Sequence, residues 1–403
     1  MKREKGSRVD FDAVRAQMSP VLRLAAARLL DGANEELLTA LGFFRITRSG
    51  VEDAARFRVL SSRFPDRAWW DWPAALRDRS PEAIAELDEA AEREIGVETA
   101  LAFLFDRQWA AIAATAVVRE VSLIGDLPIY VAGHSADVWT APSLFELDDA
   151  RRPVREAGVP PDAFSATGQR WENPLFDWEA MAASRYRWWK TRFQTSLRWT
   201  SILRIDHFRG FAAYYAIPVE AEDARTGRWE QGPGVALFRA LDDVLEGHTL
   251  IAEDLGDIDE EVHRLRRQVH ALCTRVFQFA LNEEGLSLHA PDAVPYDAVY
   301  CSGTHDNDTT RGWLDSLTTR DRQRVGDVVG VRSQQASELL VGVIDAVLGS
   351  SARVAVLPVQ DVLALGSEAR LNTPGTAHGN WGWRLDALPE LEGWSARLEG
   401  FER

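Results

Sequence analysis

Cysteine is almost missing from this sequence. Its 403 residues hold two, Cys273 and Cys301, and neither belongs to a CxxC pair or sits at a metal-ligand spacing. A disulfide framework and a cysteine zinc site are thereby excluded, and two buried thiols are expected. No uninterrupted apolar run reaches the roughly 20 residues of a membrane-spanning helix. The polar start, MKREKGSRVDFDA, has no apolar segment of a secretory signal. A cytoplasmic protein with no membrane partner is the expectation. Basic residues are the minority, 46 Lys and Arg against 62 Asp and Glu, for a net charge of −16. With no basic stripe, nucleic acid is not an expected partner. A Gly-rich phosphate turn after the first strand is also lacking, and the GPG at Gly232–Gly234 does not follow a strand. That disfavours a doubly wound nucleotide-binding sheet.

What is present suits a large globular α/β protein. Hydrophobic residues make up 46% of the chain, enough for a sizeable core. Fifteen tryptophans are available to stack on sugar rings or simply to pack the interior. Residues 9 to 120 read as mostly helix. Ser80–Pro81 supplies a cap and a first-turn proline. Ile84, Leu87, Ala91 and Ile95 keep helical spacing up to Gly96. A second helix is expected from near Glu98, with an apolar face at Leu101, Phe105, Trp109 and Ile112.

From residue 121 the pattern changes to short β-rich runs alternating with amphipathic helices. The runs are VSLIGDLPIYVA (121–132), SILRIDHFRGF (201–211), TLIAEDLG (249–256), RVFQFAL (275–281), AVYCSGTHDND (298–308) and RVAVLPVQDV (353–362). Between them lie helical faces at Tyr186, Trp189, Phe193 and Leu197; at Val262, Leu265, Val269 and Leu272; and at Leu340, Val343 and Val347. Such alternation predicts a parallel sheet covered by helices. The strands end in Asp126, Asp206, Glu253, Asp306 and Gln360, as on the active face of a (β/α)₈ TIM barrel. About six strands are recognisable where a closed barrel has eight. LGFFRIT (41–47) is the only other candidate. The expected organisation is a helical subdomain over 1–120 and a partial catalytic barrel over 121–403, with a substrate-covering loop at 139–178.

Each acidic strand end has a chemical reading. In RIDHF (204–208), Arg204, Asp206 and Phe208 fall on one strand face, so a guanidinium would hold Asp206 ionised and oriented, as a carboxylate nucleophile requires. The same pair would also serve as a structural ion pair. In IAEDLG (251–256), Glu253 ends an apolar strand, where partial desolvation favours the protonated form of a general acid. Asp254 has the opposite parity and could cap the segment after the strand. In GTHDND (303–308), His305 and Asp306 could hold sugar hydroxyls or a metal, but no second His lies at ligand spacing. Neither metal nor cofactor is therefore expected. Separate acids on one barrel face fit glycosidic-bond chemistry, in which a retaining enzyme sets two carboxyls about 5 Å apart.

GDLPIYVAGHSADVW (125–139), AGVPPDAFSATGQRWENPLFDW (157–178), RIDHFRGF (204–211), IAEDLG (251–256), SGTHDNDTT (302–310) and EARLNTPGTAHGNWGWR (368–384) together resemble the 4-α-glucanotransferases, or amylomaltases, of glycoside hydrolase family 77. The resemblance implies a retaining transfer of an α-1,4-glucan segment to a glucose or maltooligosaccharide acceptor. It assigns Asp206 as nucleophile, Glu253 as acid/base and Asp306 as the third carboxylate. Arg204 and His305 become their supports, while Asp126, Trp171 and Asn372 match substrate contacts. Residues 165–178 and Trp229 would shield the intermediate from water. An α-glucan hydrolase or an inactive glucan-binding remnant are the rival readings. The resemblance further implies that the first two barrel strands are missing, leaving open edges on the third and eighth. His134 stands where an acidic residue is common and Glu172 where glycine is common, and HAPDAVPYD (289–297) fits loosely.

Overall fold

The computed structural model describes residues 8–161, 165–282, 285–376 and 378–385, with scattered positions up to 401. The chain forms two compact units. The larger comprises Arg15–Leu250 and Asp259–Val269; the smaller comprises the residues up to Val14, Ile251–Ile258 and the chain from His270 onward.

The larger unit begins with helices. Asn34 caps the helix Glu35–Thr47 by accepting from the Leu37 N–H at 2.9 Å. Residues 41–47 are thus helical and add no strand. Leu37, Leu38, Leu41 and Phe44 share one stripe packed on Ala100 and Phe103, and that period of 3.6 decides against β structure. Ser80 caps Pro81–Ala90 as expected, accepting from the Ala83 N–H at 3.2 Å. That helix ends at Ala91, well before Gly96, because the Ala91 backbone leaves the helical region at φ −127°. Glu92–Val118 then runs through Gly96, where a Cβ would stand 3.2 Å from Leu30 Cδ1. Its core-facing stripe is Ile95, Thr99 and Phe103, whereas the anticipated face at Phe105 and Ile112 is exposed. By length and composition this helix is apolar enough to cross a membrane. It nonetheless carries Asp106, paired with Arg198, and Glu98, paired with Arg23 at 2.6 Å.

The larger unit also holds two sets of strands. β1 (Ile124–Pro128) pairs in parallel with β4 (Ile202–Asp206), with Asp126 opposite Arg204 and Pro128 opposite Asp206. The stretch anticipated as a covering loop contains β2 (Arg155–Val159) and β3 (Gln169–Pro174) instead. With β5 (Ala213–Pro218) and β6 (Arg228–Gln231) they form an antiparallel sheet in the order β3-β2-β5-β6. Residues 162–164 of that stretch lie outside the described residues. The sheet is bound by polar groups: Glu156 pairs with Arg170, and Arg155 with Glu146 at 2.6 Å and with Glu230. At Gly158 any side chain would collide with the Gln169 carbonyl, so β2 and β3 approach only through glycine. The helix Arg187–Leu197 buries Trp189, Phe193 and Leu197, and Glu260–Gln268 buries Val262 and Leu265. Leu272, expected on that second face, belongs to a strand of the other unit.

β7 (Thr249–Ala252) carries the chain from one unit to the other. In the smaller unit its last residues pair with β8 (Leu272–Val276), and β8 pairs with β11 (Ala298–Cys301) and β11 with β12 (Val354–Val356), all parallel. A two-stranded hairpin of β9 (Leu281–Asn282) and β10 (Gly285–Leu286) lies between β8 and β11 in sequence. β8 starts earlier than anticipated from RVFQFAL: Phe277–Phe279 is a 3₁₀ turn, and its Phe277 enters the core with Tyr300 and Leu314. Leu340, Val343 and Val347 pack that core from Ala336–Leu348, and Cys273 and Cys301 are buried on neighbouring strands. The protein is an α/β fold with parallel strands and covering helices.

Candidate active site

In the larger unit the site is built on β1 and β4. Register places Asp126 beside Arg204, and alternation returns Asp206 to the Arg204 face. Arg204 donates from Nη1 to both Asp126 oxygens, at 2.7 and 2.9 Å, and its Nη2 lies 2.9 Å from Asp206 Oδ1. One guanidinium thus orients two carboxylates. The Asp206 side chain is 44% exposed, open to a substrate. Phe208 does not share this face. The strand stops at Asp206, His207 turns the chain at φ 49°, and Phe208 is fully buried in a 3₁₀ turn.

His207 is half-buried with its Nε2 shielded from solvent, and desolvation, with the charge of Arg209 adding to it, lowers its pKa to about 4, so the ring is neutral. Trp171 meets it edge-on at 4.8 Å and Tyr130 at 6.1 Å. Trp171 therefore stands on β3, and not in an irregular loop. Beside it, Glu172 adopts φ 58° at the irregular β2–β3 register, the conformation that glycine accepts most easily. Trp229 lies on β6, packed on Tyr215 at 5.2 Å with the Arg209 guanidinium 3.9 Å over its ring. His134 is a packing residue: its Nδ1 accepts from the Trp69 N–H at 3.0 Å and its ring lies 5.0 Å from Phe57.

In the smaller unit the two acids after β7 separate by environment. Asp254 is buried and accepts from the Thr274 N–H of β8 at 2.8 Å and from Arg275 at 3.3 Å. It ties the end of β7 to β8, as a buried carboxylate must be matched by donors. Glu253 is half-buried just past the strand end.

After β11, the turn at 304–307 is shaped by Asn307, which accepts from the Thr304 N–H and hydroxyl at 2.9 and 2.8 Å. Asn372 donates to Asp306 Oδ1 at 2.6 Å, Arg370 holds the Asp306 carbonyl at 2.8 Å, and His305 Nε2 lies 3.4 Å from Asp306 Oδ2. Asp306, His305 and Asn372 are thus one cluster. Sequence reasoning missed what supports it. Asp361, 1% exposed, accepts from the Ser302 hydroxyl at 2.6 Å, the Thr310 hydroxyl at 2.6 Å and the Thr310 N–H at 2.7 Å. It clamps both feet of the loop that bears Asp306. No strand-end position marked it: Asp361, like Gln360, lies in the helical turn Val359–Val362 beyond the last strand, which ends at Val356.

Carboxylates borne at the C-terminal ends of parallel strands, with no nucleotide turn, define an α/β enzyme of the barrel type. Comparison with known proteins narrows this to a family. A family model described as 4-alpha-glucanotransferase matches residues 1–389. The 4-alpha-glucanotransferase of Thermus thermophilus is 39% identical over 94% of this chain and 77% of its own length. The chloroplastic/amyloplastic enzyme of Arabidopsis thaliana is 40% identical over 97% of this chain and 69% of its own. Among solved structures, the amylomaltase from Streptococcus agalactiae in complex with acarbose is 30% identical, with a TM-score of 0.93 over 99% of this chain and 80% of that one. This chain belongs to the 4-alpha-glucanotransferase family of enzymes.

Proposed function

We propose that the chain transfers a segment of an α-1,4-glucan from a maltooligosaccharide donor to the 4-hydroxyl of a glucose or maltooligosaccharide acceptor, with Asp206 as nucleophile. The Arg204 fork across Asp126 and Asp206 is the observation that carries this reading. It holds the Asp206 carboxylate in a fixed orientation beside a permanent positive charge while leaving the side chain 44% exposed. An Asp206 oxygen attacks the anomeric carbon while the glycosidic C–O bond breaks, and Glu253 gives its proton to the leaving 4-oxygen. The acceptor 4-hydroxyl then passes its proton to Glu253 and displaces Asp206, so two inversions give net retention. Asp306, gripped by Asn372 and His305, holds the hydroxyls of the reacting sugar. Trp171, beside the neutral His207, gives an apolar face to the same glucan. An acceptor sugar in place of water distinguishes transfer from hydrolysis.

The test is product analysis on maltotriose. Wild type should give both glucose and longer chains, and Asp206→Asn should lower turnover by roughly four orders of magnitude with its melting temperature kept. Glucose and maltose alone would favour a hydrolase. Binding of maltodextrin without turnover would favour a glucan-binding protein, and near-normal turnover of the variant would remove Asp206 from the chemistry.

A further inference from the structure

We infer that Trp381 is a sugar-stacking residue of the glucan site, its indole face carrying a glucosyl ring beside His305 and Asp306. The inference rests on the reading of Asp306 as a sugar-gripping carboxylate. Trp381 differs from the tryptophans of the core. Trp69, Trp139 and Trp189 are wholly buried, whereas Trp381 is 51% exposed. It also holds φ 59°, a backbone conformation that bulky side chains rarely adopt. Burial does not offset that strain, because half of the ring faces solvent. A strained, exposed aromatic residue held by its surroundings points to function.

Its surroundings do hold it. The segment from Asn372 to Trp381 closes on itself. The Trp381 N–H donates to the Leu371 carbonyl at 2.6 Å. Asn380 accepts from the Thr373 N–H at 3.0 Å and donates to the Thr376 carbonyl at 2.9 Å. One foot of this loop, Asn372, grips Asp306 at 2.6 Å, and its N–H bonds the His305 carbonyl at 3.2 Å. The other foot, Trp381, lies against the His305 ring, 5.4 Å between centroids and tilted by 36°. A carboxylate, an amide and an imidazole for hydroxyls thus sit beside an apolar plate for C–H bonds. A pyranose ring presents hydroxyls at its edge and C–H bonds on its face, so it needs both.

Acarbose is the probe. Calorimetry should show Trp381→Ala weakening acarbose binding by about tenfold, the order of one aromatic contact, and Trp381→Phe by less. N-bromosuccinimide oxidation, mapped by peptide mass, should modify Trp381 in the apo protein and spare it when acarbose is bound. Both variants should melt with the wild type, since the ring is half exposed. If Trp381→Ala keeps wild-type affinity while Asp306→Ala loses it, stacking is overturned and the Asp306 reading stands. If wild type binds acarbose and neither variant weakens it, the Asp306 reading falls with the inference. A lower kcat at unchanged affinity would make Trp381 a positioning residue for His305, and the inference would fail.

Discussion

Asp206 and Asp306 have almost the same exposure, 44% and 46%, but different company. In the larger unit a permanent cation grips Asp206. In the smaller unit a neutral amide grips Asp306 at 2.6 Å, with an imidazole 3.4 Å away. The first arrangement sets a carboxylate against a permanent charge, which suits the nucleophile proposed for Asp206. The second fixes direction through a neutral donor, which suits the grip on sugar hydroxyls proposed for Asp306. Exposure alone would never separate the two roles; the chemistry of the partner does.

The sharpest way to break this contrast is to remove each partner. Arg204→Ala leaves Asp126 and Asp206 facing one another without the guanidinium between them. kcat/KM for maltotriose should fall by about 10²- to 10³-fold, as on loss of one preorganised electrostatic group. Asn372→Ala removes a neutral hydrogen bond and should cost about tenfold. Equal losses would mean that the guanidinium has no special role.

Next in size is the clamp behind Asp306. Asp361→Ala strips acceptors from a buried N–H and two hydroxyls, which should lower unfolding stability by about 2–3 kcal/mol in urea titrations. Asp361→Asn keeps an amide oxygen for the Thr310 N–H and should recover most of this. If the alanine variant melts with the wild type, the loop bearing Asp306 is held by something else.

The two units also share a pH liability. Burial lowers the pKa of His207 in one and His289 in the other to about 4, each with a smaller push from a nearby arginine. In the unfolded chain an imidazole takes up its proton near pH 6.5. Between those values the unfolded state binds more protons, so stability is full above about pH 6.5 and is lost as pH falls towards 4. His289→Asn, whose amide oxygen can replace Nδ1 as acceptor for the Val276 N–H, should flatten this slope by about 1 kcal/mol per pH unit. An unchanged slope in denaturation curves between about pH 4.5 and 6.5 would show that carboxylates alone set the acid limit.

The parallel strands were legible because each is a near-continuous apolar run ending in a polar residue: LIA before Glu253, AVYC before Ser302, LRI before Asp206. The antiparallel sheet was hidden for the opposite reason. β2 and β3 read REAGV and QRWENP, and they are held by ion pairs between Arg and Glu that carry no apolar alternation. RVFQFAL misplaced β8 because Phe277 is as buried as a strand residue while lying in a turn. The acids at the strand ends could be singled out by position and parity. Asp361, Asn307 and Arg370 could not, since hydrogen bonding across a loop leaves no periodicity.

The smallest effect concerns two positions of one hairpin, β2 and β3. Gly158 has no room for a Cβ, while Glu172 carries a side chain at φ 58°. Replacing Glu172 by glycine should relieve the strained backbone, against the greater freedom glycine brings to the unfolded chain. The gain expected is about 0.5 kcal/mol, or a degree or two in melting temperature. Gly158→Ala should do the reverse, and by more, because the Gln169 carbonyl must move. Should Glu172→Gly destabilise the protein, the carboxylate itself must hold the bulge, and the partner to test is Arg170, whose guanidinium feels the Glu172 charge.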